Sequence, residues 1–153
     1  RLALTESIGE GTLAFFIPPG ERNAGLGVFA RDGRGWDEAG GGGLEAGGLG
    51  FATLLHEIGH GLGLAHPHDG GRQGLVMPGV NGPFGSLGVY GLNQGVFTMM
   101  GYNDGWTGQF GSSGSSTTTS TSRTNAGNQQ TPMALDVAVL QQRYGVNANW
   151  RTG

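Results

Sequence analysis

The eleven residues from His56 to His66, His-Glu-Ile-Gly-His-Gly-Leu-Gly-Leu-Ala-His, constrain this chain more than any other stretch. Residues four apart on an α-helix share a face. A helix running on from Phe51-Ala52-Thr53-Leu54-Leu55 therefore aims His56 and His60 the same way, close enough to share one metal ion. Glu57 stands beside that ion but is poorly placed to ligate it together with both histidines. Zinc takes imidazole nitrogens in a tetrahedral arrangement, and a catalytic site leaves one position open to water. The third ligand must come from beyond the helix, and Gly63 provides for it. A glycine there takes positive φ, ends the helix and turns the chain so that His66 swings back to the ion. The His-Glu-x-x-His-x-x-Gly-x-x-His pattern reads mechanically as three zinc ligands plus a general base.

All four histidines fall within residues 56–68. An isolated histidine on an apolar face is ordinarily a core or surface residue, whereas here three of them fill a template together with its Glu and Gly. His68 lies outside that template and reads as a loop residue.

A chain of 153 residues fits one domain with a modest core. Its net charge is −3 and its eight basic side chains are all arginine, so no basic surface argues for nucleic acid. Without cysteine there is neither a disulfide framework nor a thiolate zinc site. No apolar run is long enough to suggest a membrane span. The start, Arg1-Leu2-Ala3-Leu4-Thr5-Glu6, lacks the apolar core of a signal peptide and an initiator methionine. The chain therefore reads as an excerpt of a longer protein.

Taken in order, residues 1–48 hold strands and a connector. Thr12–Ile17 reads as a buried strand closed by Pro18-Pro19-Gly20, and Gly25–Ala30 as a weaker second strand ahead of the polar turn Arg31–Gly35. Seven of the eleven residues from Gly40 to Gly50 are glycine, a flexible connector. The zinc helix is expected from about Leu49 to Leu62, within a segment 49–66 that ends at the third ligand. Leu54, Leu55, Ile58 and Leu62 are its expected core stripe. Gly59 and Gly61 each cost it about 1 kcal/mol relative to alanine, so it needs packing and metal to hold. Residues 67–110 are turn-rich and contain Val96–Tyr102, which by itself reads as a core strand followed by the turn Asn103-Asp104-Gly105. Within 111–130, eleven of the thirteen residues 112–124 are Ser or Thr, too polar to bury. A helix over 131–145 is expected with Thr131 as N-cap, Pro132 in the first turn and Gly145 past its end. Met133, Val137, Leu140 and Tyr144 would be its core contacts. Residues 146–153 start a linker.

His56–Pro67 and Met100-Gly101-Tyr102 together resemble the metzincin zinc endopeptidases, and within them the serralysins, a bacterial branch. Pro67 after the third histidine, Met100–Tyr102 and Leu135–Asn147, with its Tyr-Gly-x-Asn tail, carry that narrower likeness. Arg151-Thr152-Gly153 looks like the beginning of that family's calcium-binding β-roll. The resemblance implies an α+β fold: a twisted mixed sheet with an active-site helix and a C-terminal helix, its N-terminal part missing here. It implies Zn2+ on His56, His60 and His66, with Ca2+ only where the β-roll is present. Glu57 would be the general base, and Met100 an apolar floor beneath the metal. Tyr102 would ligate the resting metal and then hydrogen-bond the oxyanion. Protein or peptide substrates would lie extended along an edge strand, for which Gly27–Ala30 is the candidate. A secreted, extracellular, monomeric bacterial protease follows from the same likeness. Gly61 and Gly101 stand where the family commonly has alanine and serine, and are expected to loosen the site. Two other readings stay open: a matrixin-like metzincin protease, and a non-catalytic zinc-stabilised binding or surface module, against which the intact Glu57 argues.

Overall fold

The computed structural model describes residues 1–9, 11–31, 36, 43–71, 74–103 and 128–149. The first three residues of the glycine-rich connector, the turn after Arg31, the end of the Asn103-Asp104-Gly105 turn, the Ser/Thr-rich segment and the last four residues lie outside them. Three short strands, β1 (Leu2–Thr5), β2 (Ala14–Phe16) and β3 (Gly27–Ala30), form a mixed sheet in the order β1-β3-β2. Two helices, α1 (Leu49–Gly61) and α2 (Ala134–Tyr144), complete an α+β arrangement. No helix among the described residues is long and apolar enough to cross a membrane.

Sheet order overturns one expectation. Gly27–Ala30 is the central strand: β1 pairs with it in parallel from Leu2↔Gly27 to Thr5↔Ala30, and β2 pairs antiparallel on its other side. Both backbone edges of β3 are taken, so a peptide cannot add to it. The edge strand that lies against α1 is β2. Leu2–Thr5 had given no strand signal of its own; its pairing with β3 makes it one.

The expected stripe on α1 is only half right. Leu55 packs against the small core of Leu64, Met99 and Met100, but Ile58 is 42% exposed and Leu62 38%. The helix instead presses its glycines inward. A Cβ at Gly59 would meet Met100 Sδ at 2.6 Å, and one at Gly61 would meet the Phe16 ring at 2.6 Å. The bare backbone is what lets the core approach. Gly61 therefore does not loosen the site; Phe16 fills the space that an alanine methyl would need. Gly101 is similar, since its Cβ would lie 2.5 Å from Asn93 Oδ1.

Val96–Tyr102 is a set of turns with Thr98, Met99 and Met100 buried, so the strand alternative fails. The C-terminal helix starts two residues later than expected, with Met133, not Thr131, as its N-cap. The Asp136 carboxylate sets that start by accepting the Met133 N–H at 2.8 Å. Gly145 does follow the last turn, at φ 84°. Of the four expected contacts, Leu140 joins the core cluster, whereas Val137 and Tyr144 are exposed. Tyr144 still serves α1: its hydroxyl donates to Leu62 O at 2.8 Å, and Arg143 Nη1 donates to Gly63 O at 3.3 Å. The end of α2 thereby satisfies carbonyls left open at the end of α1.

Candidate metal centre

The centre is built by the way α1 stops. Gly63 takes φ 88°; its N–H bonds to His60 O at 2.8 Å, and the Leu64 N–H to Gly59 O at 2.9 Å. This pair of bonds is the glycine-dependent Schellman stop. It reverses the chain so that His66 Nε2 lies 3.1 Å from His56 Nε2 and 3.0 Å from His60 Nε2. Two nitrogens about 2.0–2.1 Å from one tetrahedral ion stand roughly 3.3 Å apart, so the three rings fit a shared zinc-sized cation.

The other ring nitrogens decide the protonation pattern. His56 Nδ1 lies 2.8 Å from Met99 O and His60 Nδ1 3.0 Å from Leu64 O. Carbonyl oxygens only accept, so both Nδ1 atoms carry the hydrogen and both Nε2 atoms present a lone pair. Asp69 Oδ2, 2.7 Å from His66 Nδ1, does the same for the third ring. Three lone pairs aimed at one point repel one another unless a cation shares them, and such outer hydrogen bonds are what orient metal-binding histidines. Burial, reinforced by the charges of the neighbouring histidines, pushes His56 down to about 4 against the Met99 carbonyl's opposing pull; burial also lowers His60. Asp69 is pushed up by burial, but the Gly71 N–H and the His66 hydrogen bond outweigh this and leave it below its usual range.

Glu57, next in sequence to His56, lines the same cleft as His60 and His66 and is 7% exposed. One hydrogen bond comes from the Phe16 N–H, while Oε2 is buried with no partner among the described residues. Burial pushes its carboxyl up to about 7 against that N–H, and a dication beside it would pull it back down. Tyr102 Oη lies 2.9 Å from His66 Nε2, at the mouth of the cluster. Its hydroxyl is pushed up by burial and by the Glu57 and Asp69 charges. Met100, 2% exposed, lies under Gly59. All six residues singled out from the sequence are thus brought together. The cleft in front of them, about 1120 Å³, is lined by Ala14, Phe16, Glu57, His60, His66 and Tyr102 among others.

Two supporting carboxylates carried no role in the sequence reading. Asp69 orients His66. Asp136, 3% exposed, takes the Thr98 hydroxyl at 2.7 Å and the Met99 N–H at 2.8 Å. It thereby fixes the turn whose Met99 carbonyl holds His56. The only sequence signals were an acidic residue three positions past the third histidine and one in the first turn of a helix, both commonplace. His66, His68 and Asp69 are also close enough to share an ion. With His66 Nδ1 already given to Asp69, that grouping serves as outer support for His66.

Over 105 residues the chain is 34% identical to metallopeptidase AprA of Pseudomonas marginalis, an alignment covering 68% of this chain and 19% of that protein. It is 32% identical over 109 residues to the serralysin of Proteus mirabilis, covering 71% and 18%. Against serralysin C of Dickeya chrysanthemi it is 33% identical over 105 residues, covering 68% and 18%. No family model matches the chain. The chain spans less than a fifth of the length of these curated relatives.

Proposed function

Over its matched two thirds the chain belongs to the serralysin-type metallopeptidases, and from that premise we propose that it is the zinc-binding part of a secreted endopeptidase of metzincin fold, hydrolysing peptide bonds in extracellular proteins. The observation that carries this reading is the convergence of three histidine lone pairs beside a buried carboxylate with one oxygen unpartnered among the described residues. His56, His60 and His66 hold the zinc. A zinc ion held by them would supply Lewis acidity for the scissile carbonyl and the attacking water. Glu57, through Oε2, takes the proton from the attacking water and passes it to the leaving amine. The Phe16 N–H keeps the carboxyl turned toward that task. Tyr102 moves off the histidine cluster and donates its hydroxyl hydrogen to the developing oxyanion.

The substrate lies extended along β2. Leu13 O and Ile17 N point at β3, accepting from Ala30 N and donating to Leu26 O. The alternation of a strand then turns the backbone groups of Ala14 and Phe16 to the opposite side, facing the cleft. Ala14 and the Phe16 carbonyl are what a peptide backbone would pair with, since the Phe16 N–H belongs to Glu57.

Casein hydrolysis by the zinc-loaded chain, run beside Glu57→Ala, tests the reading. Cleavage that disappears in the variant is the expected result. A chain that takes up stoichiometric zinc yet cleaves no unfolded protein, with Glu57 and Tyr102 in place, would sink it.

A further inference from the structure

Tyr102 is held where it is by faces more than by hydrogen bonds. Among the described residues its hydroxyl has one partner, His66 Nε2. Its ring meets Phe84 in a stack at 5.5 Å and 29°, and His68 at 5.2 Å and 50°. His68 in turn stacks on His66 at 4.9 Å and 17°. Phe84 is 66% exposed, so burial of its own surface does not explain its place. What does fix it is the loop that carries it. The Gly85 N–H donates to Asn103 Oδ1 at 2.7 Å, and Asn103 Nδ2 donates to Asn93 O at 2.9 Å. The Asn81 N–H donates to Ser86 Oγ at 2.8 Å, and Asn93 Nδ2 to Ser86 O at 2.7 Å. Asn103 directly follows Tyr102, so a single side chain ties the Phe84 loop to the backbone of the tyrosine it stacks on.

We propose that Phe84 and His68 are positioning residues that form an aromatic slot for Tyr102, setting how much of the time its hydroxyl stands at the metal rather than away from it. The inference rests on the metal-site reading above and adds two residues to it. The slot acts on a two-position side chain, so its contribution is a population ratio. An aromatic pair of this kind shifts such a ratio by roughly 2- to 10-fold. The two walls are held differently. Phe84 rides on an exposed loop closed by the Asn81–Ser86 hydrogen bond, whereas His68 is backed by the His66 ring.

The test uses the full chain loaded with copper(II), whose visible phenolate-to-metal charge-transfer band reports the tyrosine oxygen on the ion. Tyr102→Phe supplies the zero. Phe84→Ala and His68→Ala should each lower the band at equal copper occupancy, by up to the roughly 10-fold shift in that ratio, and Phe84→Tyr and His68→Phe, which keep an aromatic face, should retain it. A role limited to keeping the fold would move the melting temperature and leave the band alone. A wild-type band that persists unchanged in both alanine variants overturns the slot while leaving the metal site intact. A copper-loaded wild type with no band overturns the slot together with the role given to Tyr102 above.

Discussion

Beneath the histidines, Asp136 takes three hydrogen bonds of 2.7–2.8 Å in a buried position; above them, exposed Phe84 meets Tyr102 through its ring face. The floor is over-determined. Asp136 holds the Met99 N–H, Met99 O holds His56, and Met100 fills the space left by Gly59. Moving any one of these breaks a charge-assisted hydrogen bond or a tight contact, each costly in a water-poor interior. The rim is held by contacts worth little individually and soft in direction. In the function proposed above, where three histidines hold a metal at fixed separations and Tyr102 exchanges positions, that division would serve both tasks. It also makes the two regions respond differently to substitution.

The largest expected effect belongs to neither support but to the group between them. Glu57→Gln should lower casein hydrolysis by about 10²–10⁴-fold with zinc stoichiometry retained. Zinc lost along with activity would mean that Glu57 helps hold the floor. Asp136→Ala should cost the floor about 3 kcal/mol, because three donors lose their acceptor in a buried position. In a chain of this size that lowers the melting temperature by about 6–12 °C. A fall under about 2 °C would remove Asp136 from the argument.

A pH series on zinc-stripped protein isolates the Glu57 carboxyl. Its folded value of about 7 lies above the 4.5 of a free glutamate, so the folded state holds the proton more tightly than the unfolded one. The wild type should lose stability relative to Glu57→Gln as pH rises from about 4.5 to about 7, by up to the order of 3 kcal/mol. His56, whose folded value is depressed to about 4 from 6.5, works in the opposite sense: its contribution is present above about 6.5 and is lost as pH falls toward about 4. Comparing the two proteins cancels that common part. A difference that does not change with pH would show Glu57 to be better solvated than its burial implies.

Gly61→Ala should cost about 1–3 kcal/mol by driving a methyl into Phe16, and Phe16→Leu should recover part of it. Additive losses in the double variant would show that the two sites do not touch. Smallest of all, Phe84→Ala should move the melting temperature by no more than about 2 °C, as for an exposed site. A larger drop would erase the distinction between rim and floor.

Much of the centre was legible because it is local. The four-residue spacing of His56 and His60 and the glycine at position 63 are facts about one helix and its stop, and helix geometry turns them into a convergence without any distant contact. The paired proline and glycine signals likewise marked the C-terminal helix, although its start waited on Asp136. The glycines within α1 could only be counted as costs until Phe16 and Met100 were seen occupying the space beside them.

What the sequence determined by itself was therefore the convergent histidine triad, the neighbouring carboxylate and the turn that returns His66, all written within eleven residues. Tertiary structure decided the rest. Leu2–Thr5 became a strand by pairing with β3, which put β3 in the middle and left β2 on the cleft edge. Asp136 and Met99 meet across 37 residues, and Phe84 and Tyr102 across a loop. Strand order and long-range hydrogen bonds depend on which distant segments are brought together, and no local period or spacing records that choice.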